Sequence, residues 1–332
     1  MDEEKQYYAL GAKKSPRDKR DFKLASIQLP VELPKQFELP ELFPPKNQWR
    51  RGSCVSQGSS HHKERQEKKR ISARFIMALA KQLEGNIEYG AYGRSAFKVL
   101  KERGSCEDSL YPEPDSSMTW EEYIDVSKIP LENFANASIY KIGSYWSPEV
   151  SPEGIKQAIY QNPDNSVVII MEWFKEFNTP LINGVLPEPI NSGGGHMVEV
   201  CGWDDQKANG SLKLKQSWGK NWGVNGYCWL PYSYFKKKII WDAWISLDLP
   251  DKFSVDERYG FVRTWQKYMQ EKAMAFNPWL YGKIKRLPNN REISALVYGK
   301  HDYSTIFEGK NGKVWLEKTK PQLIKEGFDY KI

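Results

Sequence analysis

The hydrophobic period of this chain changes partway along, and that change limits the folds open to it. A helix is expected from Ser53-Cys54, with Ser53 capping it by accepting from an early backbone N–H. Phe75, Ile76, Leu79, Ala80 and Leu83 then recur at i, i+3, i+4 spacing, and Gly85-Asn86 closes that stretch. Ser95 to Arg103 carries Phe97, Val99 and Leu100 before a stop at Gly104. A short helix at Pro152 to Gln161 precedes a run of strand signals. These are Val167 to Ile170, Met197 to Trp203, the alternating Leu212 to Trp218, Gly226 to Leu230, and Trp244 to Leu247. Helices first and antiparallel strands second predict an α+β fold rather than alternating α/β.

At 332 residues the chain exceeds one domain of average size. Residues 1–32 are expected to form an extended polar arm, basic from Lys13 to Lys23. Pro30, Pro34, Pro40, Pro44 and Pro45 hold the next segment out of helix and deliver the chain to Cys54. Residues 33–250 form the main domain. Residues 251–332 read as an appendage: a helix over Val255 to Met274, then a small β-rich module with strands at Ile293 to Tyr298 and Lys313 to Leu316.

Apolar residues at 40% and aromatics at 14% exclude a disordered chain. The net charge of +7, without a nucleic-acid motif, predicts a mildly basic surface and no nucleic-acid partner. No stretch approaches the about 20 apolar residues of a membrane span, so no membrane partner is expected. Met1 to Lys5 is charged with no apolar run behind it, which predicts no signal peptide and a cytoplasmic or virion-associated protein. Cys54, Cys106, Cys201 and Cys228 form no CxxC pair, so neither a zinc site nor a disulfide scaffold is expected. One bridge between Cys201 and Cys228 stays open at this point. No metal or organic cofactor is expected.

Chemistry concentrates in three islands. Gln48 stands six residues before Cys54, at an expected helix start that favours thiolate. His196 follows Gly193-Gly194-Gly195, which leaves room for a peptide backbone beside the imidazole. Gln216-Ser217-Trp218-Gly219 comes last. Together they supply an oxyanion donor, a nucleophile, a general base and a group to orient that base, the inventory for acyl transfer by a thiolate. His61-His62, in a highly charged run from His61 to Arg70, reads as a solvated face, and His301 as a loop residue of the appendage.

These islands resemble the papain-like cysteine proteases. Gln48, Gly52-Ser53 and Cys54 match the family's nucleophile segment, with Arg51 where a disulfide cysteine usually stands and Val55 in place of tryptophan. Ile71 to Phe75 resembles the segment opening the family's second helix, and Leu110-Tyr111-Pro112 its Tyr-Pro landmark. Ser217-Trp218-Gly219, Trp222-Gly223 and Asn225-Gly226-Tyr227 match its downstream block, with Gln216 in place of asparagine. The resemblance, over residues 33–248, implies a two-lobed fold: a helical lobe and an antiparallel β-barrel-like lobe, with the site in the cleft. It implies peptide-bond hydrolysis of peptide or protein substrates, with Cys54 as nucleophile and His196 as base and acid. Gln48 would serve the oxyanion hole, Gln216 would orient His196, Trp218 would shield that bond, and Ser217 and Gly195 would support the site.

The arm is too short and proline-rich for the family's helical inhibitory prodomain, so that kind of zymogen is not expected. Pocket walls are expected from Tyr89 to Arg94 and Phe174 to Val185. The run His61 to Arg70 cannot be buried without partners. Its far end is expected to face solvent or another chain, offering assembly through residues 61–70 or 251–332. The alternative function is therefore a weakly active or inactive papain-like structural protein in a larger assembly such as a phage particle. Acyl transfer to an amine uses the same residues.

Overall fold

A computed structural model describes residues 8–16, 31–162, 164–179 and 181–248. The chain divides into two units: residues 1–126 with 140–250, and residues 127–139 with 251–332. In the second unit the described residues contain one α-helix, Leu131–Ile139. The expected helix and β-rich module of the appendage lie outside the described residues.

The first unit begins with two short strands, β1 (Ala12–Lys13) and β2 (Gln36–Glu38). Helix α1 (Cys54–Glu67) and helix α2 (Ala73–Glu84) follow, then β3 (Ala91–Tyr92), α3 (Gly93–Glu102) and the single turn α4 (Trp120–Tyr123). With Leu131–Ile139 taken as α5, the chain continues through β4 (Ile142–Trp146) and α6 (Pro152–Tyr160). It ends in β5 (Val167–Phe174), β6 (Ser192–Asp204), β7 (Ser211–Lys215), β8 (Tyr227–Pro231) and β9 (Ile240–Asp248).

Helix α2 forms as its sequence predicts. The Ser72 hydroxyl accepts from Phe75 N at 3.1 Å, and Gly85 ends the helix in the left-handed region at φ 67. Helix α1 starts where expected but without that cap. Ser53 sits at φ −95, ψ 14, outside the extended conformation that lets a capping side chain reach forward, and it makes no side-chain cap bond.

The sheet runs β4-β9-β5-β6-β7-β8, antiparallel throughout. Its end strands β4 and β8 do not pair, so it is open rather than barrel-like. Strand β6 is long enough for β2 to pair with Gly202–Asp204 beyond the end of β5 at Val200. One face buries Val167, Ile169, Met171, Val198, Leu212 and Leu230 in the main apolar core, with Ile155 and Ile159 of α6. Against the other face lie α1 and α3: a Cβ on Gly58 would meet Met197 Cγ at 2.8 Å, and one on Gly93 would meet Ile170 Cδ1 at 2.5 Å. Covered on both faces, β5 opens with an unbroken apolar run from Val167 to Met171.

The start of the charged stretch overturns the expectation of a solvated face at His61-His62, while Gln66 to Arg70 are half-buried or exposed. Residues 61–65 are buried in their own chain, each with a partner. His61 Nε2 accepts from Lys46 N at 3.3 Å, and His62 Nε2 lies 2.7 Å from Ser246 Oγ. Lys63 pairs with Glu67 at 2.5 Å and Asp248 at 2.7 Å. Glu64 pairs with Lys46 at 2.9 Å and Arg70 at 3.2 Å, and Arg65 with Glu199 at 3.4 Å. Long-range charges supply what burial demands. All four cysteines are free, so Cys201 and Cys228 are not bridged. No helix among the described residues is long and apolar enough to cross a membrane.

Candidate active site

Cys54 is the first residue of α1 and is fully buried. The backbone amides of Met197, Gly11, Val55 and Ala12 lie near its sulfur and favour the thiolate. Met197 follows His196 on β6, so Cys54 lies beside the strand that carries the histidine. His196 Nε2 is 2.8 Å from Gln216 Oε1, while Nδ1 is buried without a hydrogen-bond partner among the described residues. The extra methylene of Gln216 therefore does not prevent contact with the imidazole. The ring stacks on Trp218 at 4.3 Å and 10°, with Trp173 edge-on at 5.0 Å. Those indoles cover the His196–Gln216 bond.

Gln48 is held at both ends. Its backbone N–H donates to Ser217 O at 2.8 Å, and Ser217 Oγ donates to Gln48 Oε1 at 2.6 Å. That second bond fixes the amide so that Nε2 donates elsewhere: to Arg51 O at 2.7 Å and to Ala9 O at 2.9 Å.

Ala9 belongs to the N-terminal arm, and the arm is the feature the sequence left unread. Residues 9–13 cross the site as a strap. The Ala9 carbonyl also accepts from Trp218 Nε1 at 3.3 Å. Gly11 N donates to Gly195 O at 3.1 Å, and Gly11 O accepts from Ala91 N at 2.9 Å. Beyond it β1 pairs in parallel with β3, Lys13 Nζ meets Glu88 at 2.6 Å, and Ser15 N donates to Asp242 at 3.0 Å. The fit leaves no room for side chains. A Cβ on Gly11 would lie 2.2 Å from Gly52 O, one on Gly90 2.0 Å from Gly11 O, and one on Gly195 2.0 Å from Ala12 O. The signal available in sequence is Ala9-Leu10-Gly11-Ala12, a run of small and apolar residues just before the basic stretch of the arm. The strap contains no helix, yet it crosses the site, a role beyond the expected extended polar arm.

Burial sets the electrostatics. It pushes the Cys54 thiol up to about 11, against the backbone donors that favour thiolate. Burial likewise lowers His196 to about 3, against the bond to Gln216. Both groups are neutral in the closed form.

The model of the papain family cysteine proteases matches residues 39–239, more than half the chain. The chain belongs to the papain family. An uncharacterized peptidase C1-like protein of Acanthamoeba polyphaga mimivirus is 25% identical over 283 residues, covering 73% of this chain and 88% of that protein. Among solved structures, xylellain, a cysteine protease from Xylella fastidiosa, has a TM-score of 0.64 at 24% identity, over 73% of this chain and 96% of its own. A procathepsin B from Trypanosoma congolense has a TM-score of 0.53 at 17% identity, over 72% and 85%. Both structures share the two-lobed α+β fold of this papain-family chain. Of the seven expected site residues, Gln48, Cys54, Gly195 and Trp218 meet the strap, while His196 and Gln216 join them through Trp218 and Ser217 through Gln48.

Proposed function

We propose that this papain-family protein is a cysteine peptidase held latent by its own N-terminal strap. The observation that carries the reading is a peptide carbonyl, that of Ala9, accepting from the Gln48 amide beside a buried Cys54. With a substrate in place of the strap, Cys54 Sγ attacks the scissile carbonyl carbon and His196 takes the thiol proton. Gln48 Nε2 and the Cys54 N–H hold the oxyanion, and such a donor is worth about 3–4 kcal/mol. His196 then protonates the leaving amine, and water releases the acyl group. Gln216 holds the imidazole through Nε2, which leaves Nδ1 to handle the proton.

The register of the strap accounts for its survival in such a site. The carbonyl on Gln48 is that of Ala9, but the sulfur lies against the amides of Gly11 and Ala12. Attack needs sulfur and oxyanion donor at one carbonyl, and here they serve residues two or three apart.

Labelling with an epoxysuccinyl inhibitor of thiolates, read by intact mass, tests the reading. The full chain carrying Gly11→Val, which cannot seat the strap, takes one label, and Cys54→Ala or His196→Ala abolishes it. The complete burial of Cys54 favours a second reading, a non-hydrolytic protein whose cleft stays filled. No labelling of the folded Gly11→Val chain would establish that one instead.

A further inference from the structure

The loop presenting Gln48 turns at Trp49, whose backbone is left-handed at φ 54, and Arg51 completes the turn. Arg51 N donates to Gln48 O at 3.2 Å, and Arg51 O accepts from Gln48 Nε2 at 2.7 Å. Wherever Arg51 sits, the Gln48 amide follows.

The Arg51 side chain is buried and spent on a single segment. Nη1 donates to Asp115 O at 2.7 Å and Met118 O at 3.4 Å. Nη2 donates to Pro114 O at 2.6 Å and Glu113 Oε1 at 3.3 Å. The guanidinium lies over the Tyr123 ring at 5.0 Å. The other oxygen of Glu113 accepts from Tyr123 OH at 2.8 Å and from Gln57 Nε2 at 2.9 Å. Gln57 stands one turn into α1, and its N–H donates to Ser53 O at 3.0 Å. One carboxylate thus grips the loop carrying Gln48 and the helix turn carrying Cys54.

This arrangement is a poor device for stability alone. A buried ion pair is often matched by apolar residues of similar volume, and Arg51 Nε is left buried without a partner among the described residues. What a planar five-donor fork supplies is fixed geometry. All four cysteines are free, so no disulfide performs that task.

We propose that Arg51 and Glu113 are positioning residues that register the Gln48 amide against the start of α1, so that Gln48 Nε2 and the Cys54 N–H meet one oxygen. The inference rests on the peptidase reading and concerns the oxyanion donors, not the thiolate. Two probes separate those. A peptide aldehyde adds Cys54 Sγ to its carbonyl carbon, and the oxygen formed, which takes up the thiol proton, lies on the oxyanion donors. Iodoacetamide alkylates sulfur by displacing iodide and forms no such oxygen.

Both probes are applied to the full chain carrying Gly11→Val, alone and with Arg51→Gln, Arg51→Lys or Glu113→Gln, each checked for folding by circular dichroism. Deleting an oxyanion donor costs about 100-fold or more. Misplacing one by Arg51→Gln is therefore expected to weaken aldehyde binding about tenfold or more and leave the alkylation rate within about twofold. Arg51→Lys, which keeps the charge without the fork, recovers only part of the loss, and Glu113→Gln falls between. Unchanged aldehyde binding in Arg51→Gln overturns the proposal, and so does an equal loss in both probes, the mark of a loosened site. If the Gly11→Val chain with Arg51 intact reacts with neither probe, the peptidase reading itself falls and takes the clamp with it.

Discussion

At the scale of single residues, the site is a set of buried groups waiting for water. Burial lowers His196 from its ordinary 6.5 to about 3, so the buried form binds fewer protons than one open to water. Closure is therefore favoured above pH 6.5 and loses that advantage as pH falls towards about 3. Cys54 works from the other side: raised from 9.0 to about 11, it favours closure until pH climbs through that window. Cleavage of the strap by an added protease is accordingly expected to be slowest near neutrality and faster on both flanks. A flat profile would mean that neither group senses the strap. Gln216 offers a second test. Its 2.8 Å contact with His196 predicts that Gln216→Ala lowers kcat of a strap-released chain about tenfold or more without raising KM. Gln216→Asn should keep much of the rate, and equal kcat in all three chains would remove the orienting role.

At the scale of elements, legibility tracked where the stabilising contacts lie. Helix α2 and strands β5 to β8 were readable because their period, caps and turns are local: Ser72 and Gly85 bound α2, and Val167 to Ile170 is a plain apolar run. Strand β4 was missed because Ile142–Trp146 opens Ile-Gly-Ser and owes its conformation to pairing with β9. Strands β1 and β3, two residues each, exist only through each other. The residues proposed for the site stand out by type and spacing, but the strap does not, since nothing local marks Ala9–Lys13 as the cover of a cleft. Helix α1 was misjudged for the same reason: Lys46, Glu199, Asp248 and Ser246, which neutralise or bond its buried side chains, are remote in sequence. Breaking such a pair strands a charge, and Glu64→Leu, which leaves buried Lys46 and Arg70 short of a carboxylate, should cost about 3–5 kcal/mol. Urea unfolding measures this directly, and a loss below about 1 kcal/mol would show the network to be replaceable.

At the scale of the whole molecule, fold, strap and site make one device. An open antiparallel sheet presents His196 and Gln216, α1 presents Cys54, and the chain's own arm lies over them. The strap holds by backbone bonds and by fit at glycines, so one methyl group should be enough to unseat it. Overpacking of this kind costs about 1–3 kcal/mol, and about 2 kcal/mol raises the open population about 30-fold. The most direct measurement is the initial rate of peptide hydrolysis by the full chain and by Gly11→Val, with Cys54→Ala in the same background as control. A latent peptidase predicts a rise of about tenfold or more in Gly11→Val, abolished by Cys54→Ala and reversed by adding a synthetic peptide of residues 8–16. Equal rates in the two chains, or no hydrolysis by a folded Gly11→Val protein, would contradict it.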